Sequence, residues 1–444
     1  MGDYLNFKQY SKQELAVISS IVLFIFLFFS PVVSGDGFGY YALLESIGKD
    51  HTFPPNLENQ IRFNAIASPG EPEATPNFVR FNEVTKKYVT HYAPGSALFS
   101  LPLYIVSLGL AEVPLLRIAD DFFVNERGAP LVNQLGFTLT ALLFVLGGLV
   151  LLVKFVREYF GKNASLAVLL AFFGTPLLWY ASADIAYSHA FEVGLMTWFI
   201  YTILKSPSAK KEGIILGLLT ITRYTAGIFA LPMVLFYLFK KQYKNAAIFL
   251  GSFIPFVILM MLYFTVQFGS PFLAGFNTTA ANNPAVFDSF LPVHIVEVLF
   301  DLSHGVLWWA PLVLVGIAGL WFFSNEKKWL LLSFVGLNFW VYSAWTAWHS
   351  GWSFGNRFVI ILFPLIVLGI AQLLKQKPKL KVPLIVLSAY TLLLFVLFIA
   401  STPQLADPFN LQSLIAFWLA DGRLLELPAR LIGKISIVRA ISLV

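Results

Sequence analysis

The sequence predicts an all-α, polytopic membrane protein, and three observations carry that prediction. The chain of 444 residues is 58% hydrophobic and only 12% charged, whereas soluble domains run near a quarter charged. Its apolar residues gather into runs close to the ~20 residues that a spanning helix needs: 15–33, 131–153, 164–183, 186–204, 245–266, 303–322, 329–347, 357–374 and 382–402. The runs lack period-two alternation and are too long for barrel strands. Lipid offers the backbone no hydrogen-bond partner, so each run must satisfy its own amides as a helix.

Charge then orders the elements. Lys and Arg cluster in short segments: Lys8 and Lys12; Lys154, Arg157 and Lys162; Lys205, Lys210 and Lys211; Lys240, Lys241 and Lys244; Lys327 and Lys328; and Lys375, Lys377, Lys379 and Lys381. Positive charge in short loops marks the cytoplasmic side. One topology places every cluster inside, on two conditions. Residues 96–116 must lie along the outer interface or dip in and return. The run 213–239 must enter and return as two short helices around "TRYTAG". The first run is long enough to span, and only the weak cleavage-like "VVSG" follows it, so it reads as a retained helix. The N-terminus is then inside. Residues 34–130 form one large external segment with Pro-rich stretches such as "SPGEPEATP", and 268–302, 348–356 and 403–444 are external as well. The tail 403–444 mixes Arg and Lys with apolar residues and reads as interfacial helices, leaving 1–402 as the membrane domain. The net charge of +6 resides in the loop clusters, which argues against a nucleic-acid partner; with no cysteine in the chain, disulfide and thiol chemistry is excluded.

Polar groups gather on the predicted outer face: Asp36, Tyr40, Tyr41, His91, Tyr92, Asp184, His189, Arg223, His304, His349 and Arg357. Arg223 lies inside an apolar run, at the turn of the expected hairpin, with no carboxylate near it in sequence. It snorkels or caps broken helix ends, or it holds an anion, for which a phosphate matches the guanidinium fork. Asp36 sits between glycines in "SGDGFGYYALLESIGKD" (34–50), directly after the first helix. It is a turn aspartate or a general base. His189 and Glu192, three apart on one helix face, line a pocket or pair with each other. The six histidines form no H-E-x-x-H pair. A divalent metal on Asp36 and another external carboxylate is allowed chemically, but no spacing argues for one, and no cofactor is expected.

In this order the residues resemble the membrane glycosyltransferases of the C-type (GT-C) fold, which take a sugar from a polyprenyl-phosphate carrier. That group includes protein O-mannosyltransferases and the aminoarabinose transferases of lipid A. Asp36 follows the first helix, where the family keeps an acidic loop motif. "THYAPGSALFSLPLY" (90–104) looks like the element opening its interfacial helix, and "FFGTPLLWYASADIAYSHAFEVG" (172–194) like its third and fourth helices. "GLLTITRYTAG" (217–227) looks like its short broken helix, and "GWSFGNRFVIILFP" (351–364) like the Gly-Arg stretch of a late helix. The likeness covers roughly residues 15–375.

The resemblance implies a GT-C-like bundle of about 10–12 membrane helices. It implies a multi-pass protein of the plasma membrane that transfers a monosaccharide to an acceptor hydroxyl on the extracytoplasmic face, with inversion. The acceptor is a protein, glycan or lipid hydroxyl. Asp36 becomes the general base, and Arg223, His91 and Arg357 the ligands of the donor phosphate. Tyr40, Tyr41, His189, Glu192, His349 and Trp352 line the sugar and acceptor pocket. The aromatics of "WTAWHSGW" (345–352) stack on a sugar or form an interfacial belt. The chain departs from the mannosyltransferases, which carry adjacent Asp and Glu after the first helix; here Gly37 follows Asp36, and a second carboxylate would come from Glu45, Asp50 or Glu58. That gap weakens any claim to a mannose donor. The competing reading is a transporter or flippase for a lipid-linked sugar. Such proteins show two related halves with a mid-membrane site, whereas these halves are unrelated and the polar groups gather at one face.

Overall fold

The computed structural model describes residues 10–56, 78–114, 130–161, 164–272, 290–349, 353–402 and 410–436. Apart from one small hairpin, Arg80–Asn82 paired antiparallel with Lys87–Val89, the regular structure of these residues is helical. Four helices are long and apolar enough to cross a membrane: Leu131–Phe160, Tyr243–Phe268, Arg357–Gln376 and Pro378–Ser401. Shorter helices pack among them, notably Lys12–Phe28, Gly95–Ala111, Ser188–Lys205, Ala209–Thr222 and Lys328–Ser343. Local chemistry sets several starts. Ser11 and Glu14 form a capping box, and the Ser208 hydroxyl accepts from the Lys211 amide, each satisfying an amide that the first turn leaves unpaired.

Direct contacts bring the basic clusters to one end of the bundle. Arg157 pairs with Glu14 at 3.6 Å, and Lys205 with Glu158 at 4.0 Å. Lys327 donates to the Ile203 carbonyl, Asn325 to the Tyr159 hydroxyl, and Lys240 reaches Glu326 at 2.7 Å. Lys375 lies over the Phe160 ring and Lys377 over the Phe322 ring. The start of Ser188–Lys205 is the opposite end, about 27 Å away at 1.5 Å per residue, close to the ~30 Å of a hydrocarbon core.

The run 213–239 folds back on itself. Ala209–Thr222 climbs from the basic end and stops at Arg223, whose backbone is extended (φ −153°, ψ 105°). A 3-10 turn, Tyr224–Phe229, leads into Ala230–Phe239. The arms are antiparallel: Tyr237 donates to Glu212 near the bottom, and Gly227 faces Thr220 near the top. Helix Gly95–Ala111 likewise reaches only part of the way. Phe99 meets Phe144 midway along Leu131–Phe160, while Ser107 lies against Gly136 near that helix's start. It therefore covers the half of Leu131–Phe160 remote from the basic end.

Three expectations change. Residues 164–183 are not one helix: Ser165–Phe173 stops at Gly174, and after Pro176 only the turn Leu177–Tyr180 follows. Residues 303–322 divide into Val306–Trp309 and Pro311–Trp321, broken at Ala310 (φ −152°, ψ 61°), because a following proline pushes its predecessor out of the α region. Residues 37–48, read as external loop, form a helix whose first ten residues are buried. The described part of the tail sits at the end away from the basic clusters. Leu411 donates to the Leu302 carbonyl, the Trp418 indole to Leu397, and the Ser436 hydroxyl to Phe29.

Candidate active site

The "GDGFG" segment owes its composition to what it packs against. Gly35 has φ +51°, and a Cβ there would lie 1.9 Å from the Tyr187 hydroxyl. A Cβ on Gly39 would lie 1.9 Å from Cδ2 of Tyr92. Glycine alone lets the turn between helices Lys12–Phe28 and Gly37–Gly48 close onto both rings. Asp36 occupies the N-cap of Gly37–Gly48, yet its side chain makes no cap hydrogen bond, unlike the usual N-cap aspartate. Its carboxylate turns away from its own helix. Oδ2 lies 2.8 Å from Nη2 of Arg357, and the Tyr92 hydroxyl donates to Oδ1 at 3.1 Å.

Arg357 is placed by the residue before it. The Asn356 side chain accepts from the Phe358 amide at 3.1 Å and so starts the 3-10 turn Arg357–Leu362. The guanidinium lies over the rings of Tyr187 (5.1 Å) and Phe358 (5.7 Å). Below Tyr187, the Ser34 hydroxyl donates to Asp184 at 2.6 Å, tying the corner to loop 181–187. Asp184 keeps some contact with solvent, but the protein around it pushes its carboxyl up to about 7 by burial.

Arg223 lies against the same phenyl ring, with its guanidinium 5.1 Å from the Phe358 centroid. Its Nε donates to the Tyr342 hydroxyl at 3.0 Å, and Nη1 lies 3.2 Å from Nε2 of His189. Glu192 Oε1 is 3.5 Å from Nε, and Glu192 Oε2 is 2.7 Å from Nδ1 of His189. Tyr342 stacks flat on Phe358 at 4.2 Å. Tyr40 bridges the two halves: its hydroxyl donates to Ser188 at 2.9 Å, and its ring lies 4.8 Å from that of Tyr92.

Asp36, Tyr40, His189, Glu192, Arg223 and Arg357 thus share one site. His91 is at its edge, half-buried, with its ring 4.1 Å from that of Tyr92. His349 is exposed, with its ring 5.7 Å from that of Trp348; desolvation lowers its pKa, Asp301 opposes the shift and the Arg357 charge adds to it. Tyr41 does not line the site. One residue along the helix from Tyr40 its ring points into the core, edge-on to Tyr104 and Phe137, as the ~100° step per helical residue requires. Trp352 falls outside the described residues. Arg223 also differs from its sequence reading: its carboxylate partner, absent nearby in sequence, is Glu192 on another helix. His189 and Glu192 pair with each other and with Arg223 rather than presenting open faces. The sequence reading passes over Tyr187, Tyr342 and Phe358, and gives Tyr92 no role. Two of these have a local signal, since Tyr187 precedes the helix bearing His189 and Phe358 follows Arg357. Among the described residues, no three His, Cys, Asp or Glu side chains come together as a metal would need.

No protein-family model matches the chain, and no curated protein matches it. Among solved structures, the crystal structure of ArnT from Cupriavidus metallidurans in the apo state aligns over 97% of this chain and 74% of that one, with 12% identity and a TM-score of 0.47.

Proposed function

We propose that the protein is a GT-C-like membrane glycosyltransferase that takes a monosaccharide from a polyprenyl-phosphate carrier and passes it to an acceptor hydroxyl. The observation that carries this reading is the convergence of one partly exposed carboxylate and two guanidinium groups around Phe358. A sugar linked to phosphate is already activated, so the enzyme has little covalent work to do. It must take the acceptor proton, hold the departing phosphate and align the two reactants.

Asp36 takes the proton as the acceptor oxygen attacks the anomeric carbon. The bond from that carbon to the phosphate oxygen breaks, and its electron pair leaves with the phosphate. Arg223 and Arg357 receive the added negative charge, a contribution of roughly a few kcal/mol per donor. Before donor binds, Arg357 is shared with Asp36; the phosphate then competes for that guanidinium and leaves the carboxylate facing the acceptor. Attack opposite the leaving phosphate inverts the anomeric centre. The basic clusters at the far end assign that end to the cytoplasm, so the reaction takes place on the extracytoplasmic side of the plasma membrane. No mannose preference is assigned, because Gly37 stands where a second carboxylate would be.

The test is direct. Purified protein in lipid nanodiscs is incubated with a panel of polyprenyl-phosphate sugars and with hydroxyl acceptors drawn from proteins, glycans and lipids. Mass spectrometry is expected to show one donor consumed, polyprenyl phosphate released and one acceptor gaining the sugar mass. Donors that only bind, or only change leaflet, would overturn the proposal. A reporter inserted beside Glu158 is expected to map to the cytoplasm.

A further inference from the structure

The glycosyltransferase reading needs Arg223 but leaves the pair behind it, His189 and Glu192, without a task. Both side chains are 1% exposed. Two polar, ionisable groups held out of solvent carry a desolvation cost that a purely apolar filling would avoid. Their geometry shows how they are satisfied. His189 Nδ1 lies 2.7 Å from a carboxylate oxygen of Glu192. An ionised carboxylate only accepts, so Nδ1 carries the proton. The other ring nitrogen, Nε2, is 3.2 Å from Nη1 of Arg223. A guanidinium only donates, so Nε2 must present its lone pair. The imidazole is therefore the neutral Nδ1–H tautomer, fixed from both sides.

We infer that Glu192 and His189 are positioning residues that hold the Arg223 guanidinium in one orientation toward the donor phosphate, through the chain Glu192 carboxylate, His189 ring, Arg223 Nη1. Glu192 acts twice, since its Oε1 also faces Nε of Arg223 at 3.5 Å. The Tyr342 hydroxyl accepts from the same Nε at 3.0 Å and is itself fixed by Thr225 at 2.9 Å. These partners engage Nε and Nη1, and among the described residues no hydrogen bond takes up Nη2, whose N–H groups are left for a ligand. The logic parallels that of metal sites, where a carboxylate behind a histidine fixes its tautomer and orientation; here the group being oriented is a guanidinium. The arrangement also explains why Arg223 interrupts its helix. Its extended backbone ends Ala209–Thr222 at the level of His189 and Glu192.

This inference rests on the proposal that Arg223 binds phosphate, and the experiment separates the two. Binding of a sugar-free polyprenyl phosphate is measured in nanodiscs for wild type, Arg223→Ala, His189→Phe, His189→Gln and the double variant Arg223→Ala/His189→Phe. Arg223→Ala is expected to weaken binding about 10-fold or more. His189→Phe, which keeps a ring but offers no acceptor, is expected to recover only part of wild-type affinity. His189→Gln keeps an acceptor oxygen and should bind more tightly than His189→Phe. The double variant should match Arg223→Ala, since a positioning residue has no effect once its charge is gone. Failure of Arg223→Ala to weaken binding overturns the phosphate role itself. If Arg223→Ala weakens binding but His189→Phe costs the same factor with or without Arg223, the ring is structural and the positioning role is overturned. A readout independent of binding is ¹⁵N NMR of histidine-labelled protein, with the His189 signals assigned by their loss in His189→Gln. It is expected to show a neutral ring protonated at Nδ1; a ring protonated at Nε2, or at both nitrogens, contradicts the inference.

Discussion

Asp36–Arg357 and Glu192–Arg223 are both carboxylate–guanidinium pairs against the same phenyl ring, but their surroundings differ sharply. Asp36 has 33% of its side chain exposed and one aromatic hydroxyl for company. Glu192 has 1% exposed; its Oε2 is hydrogen-bonded to His189, and its Oε1 is ion-paired with Arg223 at 3.5 Å. A buried, doubly engaged carboxylate is part of a frame, and it holds its arginine still. An exposed carboxylate with one displaceable partner is available to a reactant. The comparison assigns chemistry to the first pair and alignment to the second.

Removing the carboxylate charge from each pair should therefore give opposite results. Asp36→Asn is expected to reduce transfer by about 10²–10⁴-fold, the usual contribution of a general base. The same change should cost less stability than removing the Glu192 charge, because Asp36 itself is 33% exposed. Sugar release from the donor checks the first, and thermal unfolding in matched detergent the second. Glu192→Gln removes the charge of a carboxylate that is 1% exposed and leaves the half-buried Arg223 without it. It is expected to cost about 3 kcal/mol of stability, seen as a clear fall in melting temperature, with a smaller loss of transfer than Asp36→Asn. Equal effects of the two changes on both readouts would erase the distinction.

The same contrast decides what was legible in the sequence. The basic clusters announce themselves because loop charge is written locally, and their meeting at one end follows from the alternation of runs. The turn at Arg223 is visible because an arginine and a threonine-rich break interrupt an apolar stretch. The exposed pair is half visible: Asp36 between glycines and Arg357 after Asn356 each stand out, although nothing in the chain says that they touch. Of the buried frame, only the His189–Glu192 pairing is visible, from two residues three apart on one helix face. Glu192 and Arg223 belong to different helices, and only packing sets their distance. Tyr40 and Tyr41 look equivalent as adjacent letters; the phase of a helix that the sequence reading did not anticipate sends one to the site and the other to the core. Likewise the breaks at Pro176 and Pro311 fall inside runs whose hydropathy is continuous.

A smaller effect tests the corner that presents Asp36. Gly39→Ala places a methyl where the Tyr92 ring now lies. The ring must move, and its hydroxyl with it, so transfer should fall on the order of 10-fold through misplacement of the base. Gly48→Ala, at the other end of the same helix, meets Tyr104 and Leu101 instead and should spare the rate more than the stability. A further test concerns pH. The Asp184 carboxyl titrates near 7 in the folded protein against 3.8 as its ordinary value, so the folded state binds the proton more tightly. Stability should fall as pH rises from about 4 to about 7 and level off above it, by at most ~1.4 kcal/mol per pH unit. Melting curves of Asp184→Asn should lack that slope.

A structure determined by electron cryomicroscopy in nanodiscs with a sugar-free polyprenyl phosphate bound tests the central claim most directly. The account predicts the phosphate beside Phe358, in contact with both Arg223 and Arg357, with the Asp36 carboxylate at the open side of the same pocket and the His189–Glu192 pair unmoved behind Arg223. A phosphate held at the opposite end of the bundle, among Lys240, Lys327 and their neighbours, or one that leaves both arginines untouched, would contradict it.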